Sequence, residues 1–159
     1  MLVILILLVS SAFAGTISSH FQLSGECATL RTELEGTDNS TVKLAAFNDF
    51  LTTLGIQDKF YAILDDAYTA TSSLSADAKT AVQDLITEFK EGALFLPKDQ
   101  LKIKVKAVLG TVSDTEKTAI RDFGKTYGQE IRDLVTPVLP SSCKASADTS
   151  DVILASGFA

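Results

Sequence analysis

Histidine occurs once in the 159 residues, cysteine twice and tryptophan not at all. A structural zinc site draws on four ligands, and one histidine with two isolated cysteines cannot supply them. The single histidine, His20, stands in a Ser-Ser-His-Phe context with no nucleophile or acid placed around it in a recognisable pattern, which leaves no basis for a histidine-assisted nucleophile. The chain has no Gly-x-Ser-x-Gly, no His-Glu-x-x-His, no glycine-rich phosphate loop and no calcium-loop spacing. Asp65-Asp66 puts two acids side by side, but neighbours on a helix point in different directions, so the pair reads as a solvated face. The expectation is a protein that is not an enzyme, with no catalytic residue, no cofactor and no metal.

Positive charge is also short. Fourteen Lys and Arg face 20 Asp and Glu, for a formal net charge of -6. That balance argues against nucleic acid as a partner and, for the molecule as a whole, against docking on anionic lipid. Long apolar runs are missing too. Leu2 to Val9 is uninterrupted but well below the ~18 residues of a membrane span. Ala12-Phe13-Ala14 follows as a small-x-small cleavage pattern before Gly15. Residues 1–14 are therefore expected to be a signal peptide, and the protein to be secreted and extracellular. The apolar end, Val152 to Ala159, is too short for a glycolipid-anchor signal.

Two features suit that compartment. Asn39-Ser40-Thr41 is an N-glycosylation sequon in the polar stretch Gly36 to Thr41, where a surface loop is expected. Cys27 and Cys143 are an even pair, and in a secreted chain such a pair usually forms a disulfide. In the chain-entropy account, a loop of this length contributes about 4 to 5 kcal/mol, less any native strain. Whether the pair closes within one chain or between two is open from sequence.

What the chain does have is helical punctuation. Leu74-Ser75-Ala76-Asp77-Ala78-Lys79-Thr80-Ala81 returns 38 residues later as Val112-Ser113-Asp114-Thr115-Glu116-Lys117-Thr118-Ala119. Each copy reads as a helix start: a serine at the N-cap, acids in the first turn, and an apolar residue before the serine. Ser113 and Glu116 make a complete capping box. Around these copies, six helices follow from apolar spacing. The first runs through Leu23, Cys27, Leu30 and Leu34 to Gly36. The second carries Leu44, Phe47, Leu51 and Leu54, with Phe50 beside them, and stops at Gly55. The third carries Phe60, Ile63, Leu64 and Ala67 and fades into Thr69–Ser73. The fourth, capped by Ser75, buries Ala78, Val82, Leu85, Ile86 and Phe89 up to Gly92.

The fifth opens at Pro97 in the first helical position. Leu101-Lys102-Ile103-Lys104-Val105-Lys106 alternates as a strand would, yet Leu101, Val105, Val108 and Leu109 share a helical face and no partner strand exists. An isolated strand is unstable, so helix is predicted. The sixth repeats Ile120, Phe123, Tyr127, Ile131 and Leu134 until Pro137. Gly124 and Gly128 inside it, each costing about 1 kcal/mol relative to Ala, mark either a close neighbour or simple tolerance. The expected architecture is all-α, a single domain over 15–136 with about six amphipathic helices, enclosing either an apolar cavity or an ordinary packed core. Residues 137–159 are expected to form a mostly irregular tail.

The repeated phrase, the turn at Pro97 and the lysine-rich helix carrying Lys98, Lys102, Lys104 and Lys106 resemble the nematode fatty acid- and retinol-binding proteins. The resemblance covers roughly 74–135 and more loosely 44–73. The same helix-cap rhythm is similar to two other nematode secreted groups, the polyprotein lipid-binding allergens and the SXP-type antigens. The chain departs from the first family in its cysteine pair, in residues 15–38 and in a longer tail. The resemblance implies a non-enzymatic carrier of fatty acids or retinoids, held between helices. Phe47, Leu51, Phe60, Leu64, Leu85, Phe89, Val105, Val108, Phe123 and Tyr127 are then the apolar lining, and Lys102 or Lys106 the partner of a ligand carboxylate. The lysine patch could alternatively be a solvated face, or touch a membrane surface during transfer. The rival readings are a secreted helical protein acting by protein contact, and cation binding by the acidic surface.

Overall fold

The structure, a computed structural model, describes residues 26–139. These residues form an all-α domain, with no strand among them. The order is α1 (Glu26–Glu35), α2 (Ser40–Thr53), α3 (Gln57–Thr69), a 3-10 turn at Thr71–Ser73, α4 (Ala76–Lys90), a second 3-10 turn at Ala93–Phe95, α5 (Lys98–Leu109) and α6 (Asp114–Val135). The alternating segment Leu101–Lys106 is helical, as the missing partner strand required. Among the described residues, no helix is long and apolar enough to cross a membrane. The signal-peptide expectation, His20, Cys143, Val152–Ala159 and the tail after Leu139 lie outside the described residues.

The helix starts follow from local chemistry. Ser75 caps α4 by accepting from the amide of Ala78 at 3.3 Å. Ser113 caps α6, and Glu116 reaches back to the Ser113 amide at 2.8 Å, completing the capping box. Two boundaries differ from the sequence reading. Pro97 occupies the N-cap of α5 rather than its first helical position. The sequon is not a loop: Ser40 and Thr41 already belong to α2, and Asn39 is its N-cap, its Oδ1 accepting from the amides of Thr41 and Val42 at 2.9 and 3.3 Å. Asparagine is among the best N-cap residues because its short side chain reaches those unpaired amides, and that local demand set the boundary.

Gly55 and Gly92 end α2 and α4 in left-handed conformations, φ 71° and 87°. Gly92 is constrained twice over, since a Cβ there would lie 3.2 Å from Leu44 Cβ and 3.3 Å from the Ser40 carbonyl oxygen.

α4 is the central element, packed by α3, α5, α6 and both 3-10 turns. Ala78, Ala81, Val82, Leu85, Ile86 and Phe89 are buried along it. α6 lies against α3 and α4 through a single apolar side that includes the buried Gly124. α2 is apolar on two sides. Phe47 and Leu51 enter the main core with α3 to α6, while Ala46 and Phe50 join Leu30 and Leu34 of α1 in a smaller one. Past α6, the amides of Val138 and Leu139 both bond back to the Val135 carbonyl, and Leu139 packs on that smaller cluster.

The region Thr69–Ser73 is more structured than a fading helix. Thr71 is completely buried in the 3-10 turn between α3 and α4. Its hydroxyl donates to the Tyr68 carbonyl at 3.4 Å, which offsets the cost of burying a polar group.

Candidate functional site

The ten residues expected to line a ligand site come from five helices, two from each: Phe47 and Leu51 of α2, Phe60 and Leu64 of α3, Leu85 and Phe89 of α4, Val105 and Val108 of α5, Phe123 and Tyr127 of α6. The fold gathers all ten into one continuous apolar cluster. The first six are buried, and the four from α5 and α6 are half-buried at its margin.

Aromatic rings make the centre. Phe60 is fully buried and meets Phe47 edge-on, with ring centroids 5.6 Å apart, and Phe89 at 6.0 Å. Edge-to-face contacts of this kind add about 0.5 to 1.5 kcal/mol beyond area burial. Phe123 and Tyr127 form a second pair 4.9 Å apart at the α6 margin. The rings fill this part of the cluster by touching one another.

Sequence reading missed two contributors. Phe95, in the second 3-10 turn, lies 5.6 Å from Phe47 and packs on both the main and the smaller cluster. The apolar triplet Leu94-Phe95-Leu96 just before Pro97 was the signal that pointed to it. Tyr61 adds an edge contact to Phe60 at 5.7 Å, and its hydroxyl donates to Asn48 Oδ1 at 2.7 Å. Burial pushes the Tyr61 hydroxyl above its ordinary pKa, opposed by the Asn48 hydrogen bond and by the positive charge of Lys90. Tyr127 is also raised, first by burial and then by the carboxylates of Glu130 and Asp66. Both phenols therefore stay neutral at physiological pH, acting as apolar rings with a hydrogen-bonding tip.

Lys102 and Lys106 lie one turn apart on α5, both exposed. Among the described residues neither makes an ion pair, whereas Lys104 pairs with Glu88 of α4. Asp65 and Asp66 do not act together either: the Asp65 carboxylate pairs with Lys90. No group of three or more acidic, His or Cys side chains among the described residues is placed to hold a metal ion. Cys27 lies in α1.

A separate hollow of about 260 Å³ opens between α1 and α2, lined by Thr29, Leu30, Glu33, Ala46, Asp49, Phe50 and Thr53. None of the ten expected lining residues borders it. It arises where the outer apolar side of α2 meets α1, a pairing that spacing along the chain does not reveal. Comparison of the chain with protein-family models, with curated proteins and with solved structures finds no match.

Proposed function

We propose that this protein is a secreted, non-enzymatic carrier of an elongated apolar ligand of the fatty acid or retinoid class, held in the apolar cluster between α2 and α6. The observation that carries this reading is the convergence of the ten residues from five helices on one cluster whose α5 and α6 margin is only half-buried, beside a helix with two unpaired lysines. Among the described side chains of α5 only Leu101 is buried, and α5 is the element that gives way to admit the guest. Each methylene taken from water contributes about 0.8 kcal/mol. A long acyl chain thus gains on the order of ten before the cost of ordering it and of parting the rings. That surplus supports micromolar affinity without a dense set of hydrogen bonds. The resemblance of 74–135 to the nematode fatty acid- and retinol-binding proteins supports the same class of ligand. Action by protein contact is the alternative; the large apolar side chains most exposed are Val42, Tyr68, Ile103 and Val138, one from each of four segments.

Titration of the mature protein with a fluorescent fatty acid tests the proposal. Saturable binding at micromolar concentration, displaced by unlabelled oleate or retinol, is expected. No displaceable signal at tens of micromolar protein removes the carrier reading.

A further inference from the structure

α5 has two sides of different character. Leu101, Val105, Val108 and Leu109 face the body of the domain, Leu101 buried and the others half-buried. The opposite arc carries Lys102, Lys104 and Lys106 around Ile103, which is 68% exposed and the most exposed large apolar residue among those described. Helical geometry, at 100° per residue, puts Ile103 in the middle of that arc, with Lys102 and Lys106 on one flank and Lys104 on the other. Gln100, Ala107 and the acid Asp99 complete the arc, and Lys104 at its edge is paired with Glu88 of α4, which leaves Lys102 and Lys106 as its unpaired cations.

One exposed isoleucine is ordinary by itself, but one set among unpaired lysines is the arrangement that suits a face meeting lipid headgroups. Lysines flanking an apolar residue can keep their ammonium groups at phosphate level while their methylene stems lie along the acyl boundary. The charge of the whole molecule sharpens the case. α5 holds four lysines against one aspartate in a chain of net charge -6. An anionic surface repels the rest of the protein and attracts this helix, which fixes the orientation of approach. We infer that the outward face of α5, centred on Ile103 and carrying the unpaired Lys102 and Lys106, is a docking surface for anionic lipid membranes. The inference stands on this face alone. Under the carrier reading it would place the half-buried margin of the cluster next to the bilayer, where an apolar ligand enters or leaves.

The chain has no tryptophan, so Ile103→Trp introduces a single reporter at the centre of the face. Its emission should shift to the blue and gain intensity on addition of vesicles of phosphatidylglycerol and phosphatidylcholine, but not of phosphatidylcholine alone. Val42→Trp, at an exposed apolar position on α2, should not respond. Each lysine near an anionic surface contributes roughly a fivefold factor in partitioning, so Lys102→Glu with Lys106→Glu should lower vesicle co-sedimentation at least ~20-fold. Both sites are exposed, and circular dichroism confirms that the fold is kept. Raising the salt from 50 to 500 mM should release the wild-type protein, because screening shortens the reach of these charges. No co-sedimentation of wild type at low salt, or equal binding by the charge-reversed variant, overturns the inference. Retention by an acidic protein surface with none by vesicles overturns it too. Fatty-acid titration is read separately in free solution, so failure of the carrier reading and failure of membrane docking are distinguishable.

Discussion

Glu116 of α6 accepts a hydrogen bond from the hydroxyl of Ser75, the N-cap of α4, 41 residues earlier in the chain. The same carboxylate accepts from the Ser113 amide and hydroxyl, each at 2.8 Å. The two copies of the repeated phrase are therefore joined through one side chain. Aligned on their serines, the copies place Ala78 opposite Glu116. Ala78 is completely buried where α4 meets its neighbours, so α4 has no room for a capping acid of its own and shares the one on α6.

This sharing makes acid stability depend on Glu116. Hydrogen bonds from Ser75, then from the Ser113 amide and hydroxyl, hold its pKa below the ordinary 4.5. The unfolded chain then binds more protons than the folded one between the two values, so stability rises with pH in that window. The contribution is complete above the unfolded value and lost as pH falls through the folded one. Glu116→Gln should flatten this part of the acid limb in urea melts recorded from pH 6 to pH 3. Ser75→Ala and Ser113→Ala should each cost about 1 kcal/mol. Because both serines bond one carboxylate, their double mutant should depart from additivity.

Gly55 and Gly92 separate two reasons for glycine. Nothing lies within 4 Å of a Cβ built at Gly55, whereas Gly92 is closed in by Leu44 and Ser40. Gly55→Ala should cost about 1 to 2 kcal/mol, the strain of a left-handed alanine. Gly92→Ala should cost clearly more, since the α2 contacts must also shift. Equal costs in chemical denaturation would show that the close approach to α2 contributes nothing.

At Asn39, capping and glycosylation use different atoms. The cap uses Oδ1, and a glycan would attach to Nδ2. Asn39→Asp removes the sequon and keeps the cap, so it should be nearly neutral in stability. Asn39→Ala should lose about 0.5 to 2 kcal/mol. Thr41→Ala should abolish any glycan seen by mass spectrometry after secretion from a eukaryotic host while leaving the cap bonds in place.

If Lys102 or Lys106 meets a ligand carboxylate, the two ligand classes should respond differently. Lys102→Ala with Lys106→Ala should weaken oleate binding about tenfold, the scale of a charge-assisted hydrogen bond at an exposed site. Retinol, which carries no charge, should bind unchanged. A parallel loss for both ligands would instead mean that the substitutions disturbed α5 packing.

Leu139 packs on the cluster that Leu30 and Leu34 of α1 form with Ala46 and Phe50 of α2, and Cys143 is four residues further along, a span of at most about 14 Å of extended chain. Cys27 lies one turn before Leu30 on α1. A bridge within one chain is predicted. Intact mass under non-reducing conditions should be two hydrogens lighter than after reduction, with no covalent dimer. Reduction should lower stability by up to about 4 to 5 kcal/mol.

Local chemistry made much of the fold legible. Ser75, the Ser113–Glu116 box, Gly55 and Gly92 act on amides and carbonyls within four residues, so their effect can be read along the chain. The 3.6-residue spacing of Phe60, Leu64 and Ala67, or of Ile120, Phe123, Tyr127 and Ile131, likewise records which side each helix buries. Spacing cannot record which helix meets that side. Only the tertiary structure decided that Phe47 and Phe50, three residues apart on α2, enter different apolar clusters. Only it placed Thr71 in the interior and brought Phe95 against Phe47. It also opened the hollow between α1 and α2 and let one glutamate serve two helix caps. Those outcomes depend on the angles and distances at which whole helices pack, and packing is settled by the mutual fit of side chains far apart in sequence.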